Sequence, residues 1–232
     1  MSQTVPVSAP HDVGDRERLL TGWVRHLRDL APGVPRAELE AAGCDLLDRY
    51  AEPHRAYHDV THLAEVLAAV ELLAEHADDL PVVVAAAWWH DAVYDVTAGA
   101  GRNEEASARL AERTLTGWTA AGHAVDTGRA ARVGDLVRMT AEHDAPPGDR
   151  DAEVLSDADL AVLAADPDRY ARYAADVRRE YAHVPDAAFA AGRAAVLRGL
   201  LAHDRLYRTA QGHARWENRA RANLARELAA LH

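Results

Sequence analysis

The stretch Val82-Val83-Val84-Ala85-Ala86-Ala87-Trp88-Trp89-His90-Asp91-Ala92-Val93-Tyr94-Asp95 decides how this 232-residue chain is read. Its first eight residues are apolar on every side, which marks a buried helix rather than a surface one. His90 and Asp91 stand at the polar end of that run. A carboxylate taken out of water costs several kcal/mol unless it is paired, so a His-Asp pair there requires an ion pair, a hydrogen-bond network or a metal ion.

The surrounding sequence is helical in the same sense. Hydrophobic residues make up 49% and aromatic residues only 6%, with alanine supplying much of the apolar count. That balance favours closely packed helices over sheets. Upstream, Leu19, Leu20, Trp23, Val24, Leu27 and Leu30 recur at helical spacing over 15–30, before Pro32 and Pro35. Further helices are predicted over 35–50, 58–76, 82–95, 104–115 with Asn103 as N-cap, 126–142, 152–165, 166–183, 185–201 and 214–231. No segment keeps a period of two, and no internal repeat is present. The expectation is an all-α bundle of about nine to ten helices, with a loose arm over 1–14 and one domain over 15–232.

Charge and composition exclude several functions. A net charge of -11 opposes general binding to long nucleic acids or anionic membranes, because both need a basic surface. All 26 basic residues are arginine, so Schiff-base and P-loop chemistry, which need a lysine amine, are absent. Cys44 is the sole cysteine, which rules out an intrachain disulfide and a cysteine metal cage. With no 18-residue apolar segment and no signal-peptide pattern over 1–14, a cytoplasmic location is expected.

Three polar clusters fall on predicted helices. Tyr57-His58-Asp59-Val60-Thr61-His62 carries two histidines at i and i+4, expected on one helical face. His90-Asp91 is the second cluster, and Ser156-Asp157-Ala158-Asp159 the third. Imidazole and carboxylate together suit Mn, Fe, Co, Ni or Zn, whereas an all-oxygen Mg or Ca site would not need histidine. Such an ion acidifies water and clamps a phosphoryl oxygen, which points to hydrolysis.

The ordered set Glu52-Pro53-x-Arg55-x-Tyr57-His58-x-x-x-His62, Trp89-His90-Asp91-Ala92-Val93-Tyr94-Asp95, Asn103-Glu104-x-x-Ser107, Thr140-x-x-His143 and Asp157-Ala158-Asp159-Leu160 resembles the HD superfamily of metal-dependent phosphohydrolases. The likeness runs on through Glu180-Tyr181 and Gly192-Arg193, over about 20–228. It implies an HD-type helical bundle with His62, His90, Asp91 and Asp157 as ligands of a divalent transition metal, and allows a second metal. By similarity to the related cyclic-nucleotide phosphodiesterases it implies His58 as the general acid.

Alarmone hydrolases of the superfamily carry an acidic pair after the HD. This chain has Tyr94-Asp95, which leaves Asp95 as one candidate catalytic acid and Glu104 as a second. Arg55, Arg193 and His143 are candidate phosphate or substrate groups, and Asp159 is expected behind the ligands as a hydrogen-bond acceptor. The function implied is hydrolysis of a small phosphomonoester or nucleotide by metal-activated water. The same ligands also serve an HD-fold di-iron oxygenase, or a metal-containing binding or sensor module without turnover. The oligomeric state is not legible in the sequence.

Overall fold

A computed structural model describes residues 13–231; the expected arm over 1–14 lies outside these but for its last two residues, which belong to the first helix. The described residues form an all-α structure of ten helices: α1 (Val13–Leu30), α2 (Arg36–Tyr50), α3 (Val60–Leu72), α4 (Leu80–Trp89), α5 (Arg102–Ala120), α6 (Thr127–Met139), α7 (Arg150–Asp159), α8 (Pro167–Glu180), α9 (Asp186–Ala202) and α10 (Ala210–Ala230). Short 3-10 turns at Ala74–His76 and Leu160–Ala164 follow α3 and α7. No described helix is long and apolar enough to cross a membrane.

The apolar run forms the centre as its sequence predicts. Residues Val82 to Trp89 are all buried, and α1, α3, α5, α6 and α7 pack around α4. Trp23 of α1 meets Trp88 and Trp89 with ring centroids 5.0 and 5.1 Å apart, and its indole N–H donates to the Leu39 carbonyl at 2.6 Å. Helices α1 and α2 approach so closely that a Cβ at Gly43 would stand 2.6 Å from the Trp23 ring, a contact that only glycine avoids.

The central helix is shorter than its sequence predicts: it stops at Trp89, with His90 as C-cap, instead of continuing to Asp95. Side chains take the backbone groups that a further turn would use. The buried Arg55 guanidinium donates to the carbonyls of Asp91 (2.7 Å) and Ala92 (3.3 Å), Tyr50 Oη accepts from Asp91 N, and Ser107 Oγ accepts from Val93 N. The chain beyond His90 is held as a turn.

Three other helix starts differ from expectation. Asp59, not His58, opens α3, its carboxylate accepting from the N–H groups of Thr61 and His62. Gly101, at φ 71°, precedes α5, while Asn103 turns its amide onto Asp95, accepting from the Asp95 N–H and donating to its carbonyl. Helix α10 begins at Ala210 because Thr209 caps it, Oγ1 accepting from Gly212 N at 2.9 Å. Asp166 caps α8 as its Asp-Pro signal predicts.

Candidate metal centre

Three helix ends meet beside α4. His62 lies in the first turn of α3, His90 caps the C-terminus of α4 with Asp91 next to it, and Asp159 is the last residue of α7. His62, His90 and Asp91 form a buried group able to hold a metal ion. The two Nε2 atoms are 3.1 Å apart. Asp91 Oδ2 stands 3.0 Å from His90 Nε2 and 3.4 Å from His62 Nε2, and Asp159 Oδ1 stands 3.6 and 3.3 Å from the same atoms.

These separations can be tested against a bound ion. Nitrogen and oxygen ligands at about 2.1 Å from one centre lie roughly 3.0–3.4 Å apart at adjacent vertices, and the nitrogen–nitrogen and nitrogen–oxygen distances here fall on or just beyond that range. The tautomers point the same way. His90 Nδ1 lies 2.8 Å from the Ala87 carbonyl and so carries a proton, which leaves Nε2 of the neutral ring with its lone pair facing inward. His62 Nδ1 is buried without a hydrogen-bond partner among the described residues, so the inward-facing Nε2 makes all of this ring's polar contacts. Two nitrogens and the Asp91 oxygen thus crowd one point with few protons to share, with Asp159 Oδ1 within 3.6 Å of both nitrogens, a donor set that suits a cation.

Without an ion, protons do that work. Burial disfavours the His62 imidazolium, but the hydrogen bonds and charges of Asp159 and Asp91 outweigh it and lift the group to about 10. His90 is also raised, burial again being overcome by Asp91 and Asp159. Both carboxylates are held below their ordinary values: burial pushes them up, and the neighbouring histidines, His90 foremost, pull them down further.

Asp157, expected as the fourth ligand, is directed elsewhere. Its Oδ1 accepts from Arg208 N at 2.6 Å, and its Oδ2 from Thr209 N at 2.9 Å and Thr209 Oγ1 at 2.7 Å. It fastens the start of α10 to α7, and a Cβ at Gly212 would lie 2.5 Å from its Oδ2. Burial lifts its pKa to about 6 against these hydrogen bonds. Asp159, expected only as a supporting acceptor, faces the imidazoles instead. Residues two apart on a helix point about 200° apart, so only one of the two acids can face the cluster.

A cavity of about 160 Å³ adjoins the cluster, lined in part by Asp91, Asp159, His58, Glu104 and His143. His58 sits just before the α3 N-cap rather than on the helical face of His62, with the two rings 5.7 Å apart. Its Nδ1 lies 2.7 Å from Glu180 Oε2. Glu180 Oε1 accepts from the N–H groups of Ala56, Tyr57 and His58 at 2.8 to 2.9 Å, and Oε2 also accepts from Tyr94 Oη at 2.9 Å. Burial opposes the Glu180 charge, but these bonds, led by the one from His58, hold it near 2.

Glu180 is a residue to which the sequence assigns no role. Its sequence signals are its place in the motif likeness and its position as the last residue of α8, an acid at the wrong end of the helix dipole.

Glu104 lines the cavity and forms no ion pair or hydrogen bond through its carboxylate among the described residues. His143 has φ 54°, a left-handed conformation costly for a side chain of its size. Its Nε2 lies 3.6 Å from Asp159 Oδ2, the oxygen partner of the one facing His62 and His90. Burial lowers the His143 pKa.

The remaining candidates are placed away from the cluster cavity. Arg55 is buried, with Nη1 and Nη2 on the carbonyls of His58, Asp91 and Ala92 and Nε on Glu52, so it holds the loop rather than a phosphate. Arg193 gives Nε and Nη2 to Glu227 and Nη2 also to Tyr173 Oη, beside a different cavity. Asp95 is exposed, its Oδ1 accepting from Thr97 N and Oγ1 in a surface turn that lowers its pKa. Comparison with family models, with curated proteins and with solved structures gives no match to this chain.

Proposed function

We propose that this protein is a metal-dependent phosphohydrolase of the HD type, acting on a small phosphomonoester or nucleotide. The observation that carries the reading is the meeting of His62, His90, Asp91 and Asp159 beside a cavity that also holds His58 and Glu104. The ligands are those four, with Asp159 in the place that the motif resemblance gave to Asp157, and the ion is a divalent Mn, Fe, Co, Ni or Zn. When bound, such an ion supplies a Lewis acid that polarises a phosphoryl oxygen and makes a water acidic.

The protein's own groups do the rest. Glu180 accepts from the His58 Nδ1–H and fixes the ring, so that in its imidazolium form the proton on Nε2 is the one free for a leaving alcohol oxygen. Glu104, unpaired at the cavity wall, accepts a proton from water. His143, with the second oxygen of Asp159, offers two of the ligands a second ion would need. The charge of -11 supports small substrates over long nucleic acids.

The test is metal content and turnover against a panel of phosphomonoesters and nucleotides. Wild-type protein is expected to hydrolyse at least one of them with metal bound, and His62→Ala to lose both metal and activity. Retention of both by that variant would overturn the assignment. The contact between His143 and Asp159 also favours a two-ion site, the arrangement a di-iron oxygenase would use. Stoichiometric iron with oxygen uptake after anaerobic purification would select that reading, and tight ligand binding with no turnover would select a sensor.

A further inference from the structure

Besides the cavity at the cluster, His58 borders a second space. This larger chamber, of about 400 Å³, lies between α8 and α9, and Tyr57, His58 and Tyr173 line both. Its remaining walls are largely apolar: Val177, Val184, Ala188, Phe189 and Val196, with Tyr181 turned to Phe189 at 6.2 Å between ring centroids.

Two basic side chains stand at its lining, and both are engaged. The His58 Nδ1 is bound to Glu180, and the Arg193 Nε and Nη2 are bound to Glu227 and Tyr173. Val196, 54% exposed, stands on the chamber lining and is one of two large hydrophobic side chains exposed among the described residues. An open apolar chamber next to a polar cluster is the form of a binding site for a molecule with one charged and one apolar end.

We infer that this chamber receives the organic half of the substrate, so that the substrate class is a phosphomonoester whose alcohol carries an uncharged aromatic or branched apolar group. The inference rests on the phosphohydrolase reading and on His58 as the acid. In hydrolysis the water oxygen bonds to phosphorus as the bond from phosphorus to the ester oxygen breaks. His58 Nε2 gives its proton to the departing oxygen, Glu104 takes one from the water, and the products are the alcohol and inorganic phosphate. An acid that protonates the leaving oxygen must lie beside the alcohol. The alcohol therefore extends along His58, and the room along His58 away from the metal ligands is the apolar chamber.

The probe pair is 3-phenylpropylphosphonate and propylphosphonate, non-hydrolysable mimics that differ by one ring, titrated calorimetrically into metal-loaded protein. The ring ligand is expected to bind about 30-fold more tightly, the gain from burying one phenyl-sized group. A Cβ at Gly192, which lines the chamber, meets nothing within 4 Å, so the first carbon of Gly192→Leu is accommodated and the rest of the side chain serves to narrow the chamber. In that variant the preference is expected to shrink to about threefold with propylphosphonate unchanged, and Val196→Asp at the rim is expected to act in the same direction.

Equal binding of both ligands by wild type, or a preference untouched by both variants, overturns the inference. Turnover of ethyl phosphate and 2-phenylethyl phosphate is measured alongside. Ring preference in binding with neither ester hydrolysed sinks the hydrolase reading while the apolar subsite stands. Hydrolysis of both esters with the same kcat/KM sinks the subsite while the hydrolase stands, and neither binding nor turnover sinks both.

Discussion

Asp157 and Asp159 sit on the same turn of α7, both withdrawn from water, and do opposite things. Asp157 is fully buried and satisfied: three donors from Arg208 and Thr209 fill its two oxygens and tie α10 to the bundle. Asp159, with 13% of its side chain exposed, has no backbone donor among the described residues; its oxygens face the imidazoles of His62, His90 and His143. One acid is complete within the protein, and the other is completed by a cation or by protons. A buried carboxylate whose partners are backbone N–H groups is part of the scaffold, while one whose partners are ring nitrogens converging on a point is part of a site.

The comparison can be broken by exchanging the two roles. Removal of Asp159 has the largest expected effect. Structural metal sites of four ligands bind with about 10–16 kcal/mol, or roughly 2.5–4 kcal/mol per ligand, so Asp159→Ala should weaken metal binding about 300-fold in competition titrations with a chelator. Thermal stability of the metal-free variant should fall less than metal affinity does, since Asp91 still supports the His62 imidazolium.

Asp157→Ala should do the reverse. It strands two backbone N–H groups and the Thr209 hydroxyl, a loss of about 3 kcal/mol in urea unfolding, with metal affinity within about threefold of wild type. A larger effect of Asp157→Ala than of Asp159→Ala on metal affinity would invert the assignment.

A third buried acid sharpens the contrast because it belongs to both kinds. Glu180 caps three backbone N–H groups as Asp157 caps two, and it also orients a histidine. Glu180→Gln is therefore expected to cost about 2 kcal/mol in stability and to lower kcat about tenfold, with the KM for substrate nearly unchanged. An unchanged kcat would leave Glu180 with the scaffold alone.

The effect expected per unit of change is smallest for pH. In the metal-free protein the His62 imidazolium is stabilised by Asp159 and Asp91 against burial, up to about 10. That pairing supports the metal-free fold fully below the ordinary value of 6.5 and fades as the pH rises through about 10. A metal ion must displace the proton, so the apparent metal affinity should strengthen about tenfold per pH unit between about pH 7 and 9, with proton release seen by calorimetry in buffers of different ionisation enthalpy. Metal binding without proton release would contradict the pairing.

How much of this was legible in the residues follows from the kind of signal each feature leaves. The apolar run at Val82 to Trp89 has one physical solution, a buried helix, and the all-α bundle follows from helical periodicity across the chain. His90-Asp91 was legible because a polar pair at the end of an apolar helix needs partners, and His62 through the motif likeness. The choice between Asp157 and Asp159 was not: it depends on the rotation of α7 against α3 and α10, which a D-x-D pattern leaves open.

Arg55 misleads for a related reason. A guanidinium that binds phosphate and one that binds three carbonyls are the same residue in sequence, and its partners come from a loop held only after folding. Asp95 followed the motif into a surface turn for want of any signal of depth.

The central claim is that His62, His90, Asp91 and Asp159 hold one ion and that Asp157 does not. The direct measurement is a crystal structure of manganese-loaded protein with anomalous scattering at the metal edge. A peak is expected within about 2.0–2.3 Å of His62 Nε2, His90 Nε2, an oxygen of Asp91 and Asp159 Oδ1, with Asp157 still bound to Arg208 and Thr209. A peak coordinated by Asp157, or no peak among the four at saturating metal, would contradict it.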